Sequence, residues 1–488
     1  MNPTPPPAGL PVGASLPRDA SHPLGTSPVH VLARLWALAG GAPEALQDVV
    51  LSGLDPVLPS SFRVGTLAQA SIAAAALAAA RLWQQRTGRR QSVSVDMRHA
   101  AAEFRSERYM RVAARPPGSA WDKIAGVYAT GDARKVRLHT NFPHHRDGIL
   151  KLLGCAYDRE AVQAALMRWQ AEPFEAAVAE AGLVATMMRA PAEWASHPQG
   201  QAVARLPLLE ISKIGEAPPR ALARNPARPL SGVRVLDLTR VIAGPVCGRA
   251  LAAHGADVMR LTAPHLPGLA ELDIDTGRGK LAAALDLRAS EERERLASLL
   301  RQSHIFVQGY RPGGLAAFGF SPEACAELRP GIIAVSLSAY GHQGPWARRR
   351  GFDSLVQNAS GLNVAEAEAA GVSPPRELPA QALDHASGYL MAFGAMMALA
   401  HKAHEGGSWH VRVSLAQTGY WLSQLGRVED GFTHPDLSFE AIADLIETTD
   451  TPFGRLSFVR HAAHLSETPA HWARPPVPLG SHAPIWPE

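Results

Sequence analysis

The stretch "GVRVLDLTRVIAGPVCGRALAAHGADVMRLT", residues 232–262, decides the fold. "GVRVLDLTR" (232–240) reads as a buried strand, "GPVCGRALAAHG" (244–255) as a helix stopped by glycine, and "ADVMRLT" (256–262) as a second strand. Downstream, "KLAAALDLR" (280–288), "SHIFVQGY" (303–310) and "GIIAVSLSAYG" (331–341) supply further strands. Helices at 290–302 and 321–329 separate them. Strand–helix alternation of this kind predicts an α/β fold built on a doubly wound, mostly parallel sheet. Ligands of such sheets sit at the carboxyl ends of the strands. Those ends carry "TRVIAGP", "GYRPGG" and "SAYGHQGP", whose Gly and Pro permit either close backbone approach to a ligand or simply tight turns.

Upstream of this half, "EAPPRALARNPARPLS" (216–231) is a Pro/Arg/Ala linker and marks a domain boundary. Residues 29–215 are expected to form a smaller α+β unit. Residues 29–115 read as helical, 118–142 as two short strands around a Gly-Asp turn, and 145–200 as amphipathic helices. The Pro-rich segment 1–28 reads as a disordered lead-in, and 431–488 as a tail packing back on the large domain formed by 232–430.

Composition narrows the function. A chain of 488 residues with 46% hydrophobic and 19% charged residues is globular and long enough for two or three domains. The net charge of +4 forms no basic stripe interleaved with aromatics, which argues against nucleic acid. The apolar runs 71–82 and 386–400 are mostly Ala and Gly, and read as buried helices instead of membrane spans. The start has no basic n-region and apolar core of a secretory signal, so a cytoplasmic protein is expected. Cys155, Cys247 and Cys325 form neither a disulfide framework nor a zinc pattern. Nucleotide-loop, zinc-hydrolase and serine-hydrolase motifs do not occur, and adjacent His144 and His145 read as surface residues; no metal site is expected.

In "QALDHASGYLMAFGAMMALA" (381–400) a single carboxylate, Asp384, stands at the mouth of a small-residue helix. It can be an N-cap, accepting from orphan N–H groups, or a nucleophile held ionised by the same helix terminus. A shift of 318 residues sets 69–97 beside 387–415. Each is a small-residue helix, a tail with a glycine (Gly88, Gly406) and a V-x-V strand; in this register Thr66 faces Asp384.

The motifs "PLSGVRVLDLTRVIAGPVCGRALAAHGADVMRL", "GRGKLAAALDLRAS", "VQGYRPGGLAAFGFS", "LRPGIIAVSLSAYGHQGPWARRRGFDSLVQNASG" and "LDHASGYLMAFGAMMAL" together resemble the family III CoA-transferases, a group that also holds the α-methylacyl-CoA racemases. "RTGRRQSVSVDMRHAAAEF" and "GVYATGDARKVRLHTNF" resemble the other half of the same family protein. The chain therefore resembles two fused, truncated copies. The resemblance implies a Rossmann-like CoA-binding unit over 232–430 and transfer of CoA between carboxylic acids through an Asp384 anhydride and an enzyme–CoA thioester. It implies coenzyme A as co-substrate without a metal, and acyl-CoA and carboxylic acids as partners. For CoA it points to Arg240, Val241, Ala243, Arg260, Arg278, Lys280, Gly309, Tyr310 and Arg311 and, more loosely, to Arg348 to Arg350, Arg350 among them, for the 3′-phosphate or the pantetheine entrance. Family members pair as interlocked homodimers, which a second chain or the internal copy could supply. Two alternatives remain, an acyl-CoA racemase and a catalytically silent binding subunit. Against the racemase, Phe352 occupies the position of that branch's proton-transferring His, and His385, adjacent to Asp384, points roughly 100° away on a helix.

Overall fold

The computed structural model describes residues 25–119 and 121–487; residues 1–24 of the expected lead-in lie outside them, and from Pro28 the chain is helical. The main sheet has seven strands. In chain order they are β1 (Glu210–Gly215), β2 (Arg234–Leu238), β3 (Asp257–Thr262), β4 (Lys280–Ala284), β5 (Ile305–Gln308), β6 (Ile333–Ser338) and β7 (Ser408–Ser414). Their spatial order is β4-β3-β2-β5-β6-β7-β1, parallel throughout except for β1 on β7. Val235, Leu236, Val258, Met259, Ile305 and Val307 are completely buried, as expected where helices cover both faces of a parallel sheet. The C-terminal half is thus a doubly wound α/β unit.

Its edge strand was not expected. β1 precedes the 216–231 linker yet completes the sheet, pairing Ile211 with Val411 and Ser212 with His410. The linker separates two stretches of chain without separating two bodies of structure.

The N-terminal half contributes a smaller α+β unit. Gly126–Ala129, Lys135–Leu138 and Ala185–Met187 form an antiparallel sheet covered by Pro143–Leu153, Arg159–Leu166 and Ala171–Glu180 around Phe174 and Ile149. The tail does not pack on the large domain alone. Gly454–Val459 pairs with Arg111–Val112, and Ala463–Leu465 with Val93–Asp96, both in the N-terminal half. Farther on, Trp486 enters the core beside β2–β5, and Gly279 donates its N–H to the Arg474 carbonyl at 2.8 Å.

Four helices position the site: α1 (Val64–Thr87), α2 (Ala243–Ala253), α3 (Asp353–Ala359) and α4 (Ala382–Glu405). α1 and α4 are the longest and pack along each other through small side chains, which let two axes approach closely. α1 is long and apolar enough to cross a membrane, but residues such as Ala70, Ile72 and Ala76 are fully buried inside the protein.

The 318-residue register holds in the backbone. Both helices have 24 residues, and the residues preceding them adopt nearly identical conformations, φ −79°, ψ 61° at Arg63 and φ −75°, ψ 63° at Gln381. Each helix is followed by a glycine, a strand, and a helix capped at the equivalent position, by Asp96 in one case and Ser414 in the other.

Candidate active site

The strand order reverses between β2 and β5, which run side by side with Leu238 opposite Gln308. The loops leaving these strands must diverge, and a crevice opens at their carboxyl ends. A cleft of about 930 Å³ lies there. Arg240, Val241 and Ala243 line it from the β2 loop, and Gly309, Tyr310 and Arg311 from the β5 loop. Arg350 and Phe352 enter from the segment before α3, and Asp384 from the first turn of α4. The structure thus brings eight of the eleven residues singled out from sequence to one cleft.

The other three are elsewhere. Arg260 is 3% exposed and points away into an ion pair with Asp273. Arg278 binds the Asp275 carboxylate at 2.7 Å and the Val459 carbonyl at 3.0 Å, with the Trp472 ring 4.2 Å from its guanidinium carbon. Lys280 binds Asp237 and the Pro245 carbonyl, each at 2.7 Å. The "GRGK" segment leads into β4, so it stands at the opposite end of that strand from the crevice, and Arg278 ties it to the C-terminal tail through Val459. These three cations are each paired with an acid, and none lines the cleft.

Asp384 differs from its expected form. It does not cap α4. The Asp353 carboxylate does so, its Oδ2 accepting from the N–H groups of Leu383 at 2.8 Å and Asp384 at 2.9 Å. The Asp384 carboxylate has no hydrogen-bond or ion-pair partner among the described residues, and the side chain is nearly buried at the cleft wall. Burial, then the negative charges of Asp353 and Glu107, push its pKa well above the usual carboxylate range. Asp353 is pushed up to about 6, chiefly by burial, with the two amides opposing the shift.

The same device recurs at α1 without the acid. Asp55 accepts from Gly65 N–H at 2.9 Å and Thr66 N–H at 3.0 Å, and the Thr66 hydroxyl closes onto the same carboxylate at 2.6 Å. Thr66 is satisfied where Asp384 is left open.

Sequence reasoning missed two contributions to the cleft. Asp353 was passed over because it lies about thirty residues before the helix it caps; the "RGFD" text was its only signal. His145, expected at the surface, is 3% exposed and lines the cleft with Phe142 and His144. Its pKa is pushed down to about 3 by burial and by His144, Arg350 and Arg240, so its imidazole is neutral at pH 7. Phe352 stacks on His139 with ring centroids 4.0 Å apart and lies 6.0 Å from Phe142, forming an aromatic wall between the halves. His385 turns the other way, placing Nε2 3.1 Å from the Glu107 carboxylate and its ring on Phe104.

The cleft is rich in cations. Arg240 lies over the Phe142 ring at 4.7 Å. Among the described residues, no carboxylate pairs with Arg311 or Arg350, which repel one another. Unpaired guanidinium groups at a glycine-rich sheet end suit phosphate oxygens.

Residues 230–436 match the model of "CoA-transferase family III". An acetyl-coenzyme A transferase of Hypoxylon pulicicidum is 29% identical over 337 residues, covering 64% of this chain and 56% of that protein. A probable fatty acyl-CoA transferase of Mycobacterium tuberculosis is 32% identical over 204 residues, 39% of this chain and 51% of its own. A succinate–glutarate CoA-transferase of Agrobacterium fabrum is 28% identical over 242 residues, 44% of this chain and 60% of its own. The chain spans about half the length of the curated relatives it matches. Over residues 230–436 the chain is thus similar to CoA-transferase family III.

Proposed function

We propose that this protein transfers CoA between two carboxylic acids, with Asp384 as the nucleophile. The observation that carries the reading is the nearly buried carboxylate of Asp384, without a bonding partner among the described residues and facing a cleft whose Arg311 and Arg350 pair with no acid among those residues. A carboxylate that spends no lone pair on a donor is a better nucleophile than one satisfied within the fold.

An ionised Asp384 oxygen attacks the thioester carbonyl of an acyl-CoA. The C–S bond breaks, giving a mixed anhydride and the CoA thiolate. The thiolate then attacks the aspartyl carbonyl, the acyl carboxylate leaves, and the enzyme carries CoA as a thioester. An acceptor carboxylate attacks that thioester, forming a second anhydride and freeing the thiolate again. Thiolate attack on the acceptor carbonyl releases the new acyl-CoA and restores Asp384. Arg240, Arg311 and Arg350 hold the phosphates of CoA, and the Phe142–Phe352 wall excludes water from the anhydride.

The raised pKa of Asp384 fits this role. The form that attacks is a strongly basic carboxylate, and the energy of its unfavourable charge is released as the carbon–oxygen bond forms. Phe352 cannot exchange a proton, which disfavours α-proton racemisation. We read the N-terminal half as a truncated internal copy whose helix start, Thr66, carries no acid, so each chain has one active site.

Incubation with an acyl-CoA and hydroxylamine tests the reading by mass spectrometry. One hydroxamate per chain at Asp384 supports it. No adduct across a broad acyl-CoA panel overturns it in favour of a silent subunit. α-Proton exchange in deuterated water without CoA transfer overturns it in favour of racemisation.

A further inference from the structure

A second cavity, of about 220 Å³, lies at the opposite ends of the central strands of the main sheet. Gly232 and His304, which line it, directly precede strands β2 and β5, whereas the cleft opens at the far ends of those strands. Lys402 enters from the last turn of α4, roughly 27 Å along the helix axis from Asp384 at a rise of about 1.5 Å per residue.

The side chains around this cavity are positively charged or neutral, and among the described residues no carboxylate lines it. Arg86, from α1, donates to the carbonyls of Ala223 (2.8 Å), Pro229 (2.8 Å) and Ser231 (3.0 Å), fixing the linker as a roof. Arg329 reaches only carbonyls, those of Ser303 and Pro330. Among the described residues, Arg220 and Lys402 have no hydrogen-bond or ion-pair partner for their charged ends. Lys402 is 5% exposed, and that exposure opens into the cavity. Burial, Arg329 and Arg220 lower its pKa to about 8. His304 is pushed to about 4 by burial and by Lys402, Arg329, Arg220 and Arg234. The charges that shift these two groups are those of arginines and, for His304, also of Lys402. The negative end of the α4 dipole accounts for one cation there, but not for two converging arginines as well. A buried charge without a counter-charge is costly.

We propose that this cavity binds a small multivalent oxyanion of the phosphate or pyrophosphate class, held by Lys402, Arg220 and Arg329 beneath the linker. The volume is below the roughly 300–1,000 Å³ usual for organic ligands, which selects a free ion over a nucleotide. Bound there, the ion ties the linker to the ends of both long helices.

The test is thermal unfolding of the full chain at constant ionic strength, titrated with inorganic phosphate, pyrophosphate or adenosine 3′,5′-bisphosphate. The expected result is a saturable rise in Tm, stronger for pyrophosphate than for the adenosine compound. Half-saturation moves up by roughly tenfold or more in Lys402→Gln and in Arg220→Gln, each of which removes one charge-assisted contact. Arg220 is exposed and supports no neighbour, so its variant folds normally even if Lys402→Gln does not. Arg311→Gln, in the cleft, leaves the shift in place. A rise that never saturates, one lost in Arg311→Gln but kept in Arg220→Gln, or a preference for adenosine 3′,5′-bisphosphate overturns the proposal.

Discussion

The Asp353 carboxylate accepts the backbone N–H of Asp384 at 2.9 Å, so one acid caps the helix and the other is left free beside it. The two roles open to a single carboxylate at a helix start are here divided between neighbours. Asp353 takes the amides, and its negative charge then raises the pKa of Asp384.

Asp353→Asn tests that division. An asparagine oxygen still accepts from the helix amides, but the negative charge beside Asp384 is gone. The pKa of Asp384 then falls, and the carboxylate is ionised at lower pH. The acidic limb of the kcat/KM profile is expected to move to lower pH relative to the parent protein. Asp353→Ala loses the cap as well, and is expected to cost about 0.5–2 kcal/mol of stability in urea unfolding. An acidic limb unchanged in Asp353→Asn would show that the charge of Asp353 does not govern the nucleophile.

Asp384→Asn separates stability from activity. The folded protein holds a proton on Asp384 that the unfolded chain gives up near its ordinary pKa of about 3.9. Stability from this group is therefore lost as pH rises from the unfolded pKa toward the raised folded one, and stays lost above it. Asparagine removes that dependence. Its Tm is expected to exceed the parent's by more at pH 7 than at pH 4, while CoA transfer falls by roughly 10³-fold or more. Calorimetry at the two pH values, alongside a transfer assay, measures both.

What could be read from the sequence was local. Five strands of the main sheet and the helices between them announced themselves through continuous apolar runs closed by Gly, and Asp384 through its place at the start of such a run. Partners contributed by distant parts of the chain could not be read. Lys280 and Arg278 look like ligand-binding cations until Asp237 and Asp275 are found against them. β1, "EISKIG", is a plain half-buried strand whose place in the sheet is set by β7, nearly two hundred residues later. His145 becomes part of the cleft only because the N-terminal unit folds over the sheet end. Of the two roles open to Asp384, the cap is taken by Asp353, which lies on another helix.

Val241 bears on the cost of building the cleft. Its φ of 72° puts a β-branched residue in the left-handed region, in the loop that follows the end of β2 at Leu238 and opens the crevice. Such conformations cost about 1–3 kcal/mol and persist where surrounding structure imposes them. Val241→Gly is expected to raise stability by about 1 kcal/mol in urea unfolding and to weaken CoA binding, because the cleft loses an apolar wall and a fixed loop. Calorimetric titration with CoA checks the second effect. Tighter binding in the variant would indicate that the strained loop obstructs the site.

Gly388 controls how closely α4 lies on α2. A Cβ added there would come within 2.5 Å of the Ala243 carbonyl oxygen and 2.7 Å of Val246 Cβ. Neither obstacle is the end of a flexible side chain, so Gly388→Ala must push the two helices apart. The displacement acts on Asp384, one turn earlier on α4, and on Ala243, which lines the cleft at the start of α2. Overpacking of this kind costs about 1–3 kcal/mol, and a shift of about 1 Å at a nucleophile costs on the order of 10² in rate. Gly419 provides the control. On helix Leu415–Gln424, its added Cβ would meet nothing closer than a Leu383 methyl at 3.4 Å. Gly419→Ala is therefore expected to leave Tm and kcat close to the parent values or to raise Tm slightly, whereas Gly388→Ala lowers both. Equal effects in the two variants would mean that the α2–α4 contact does not set the position of the nucleophile.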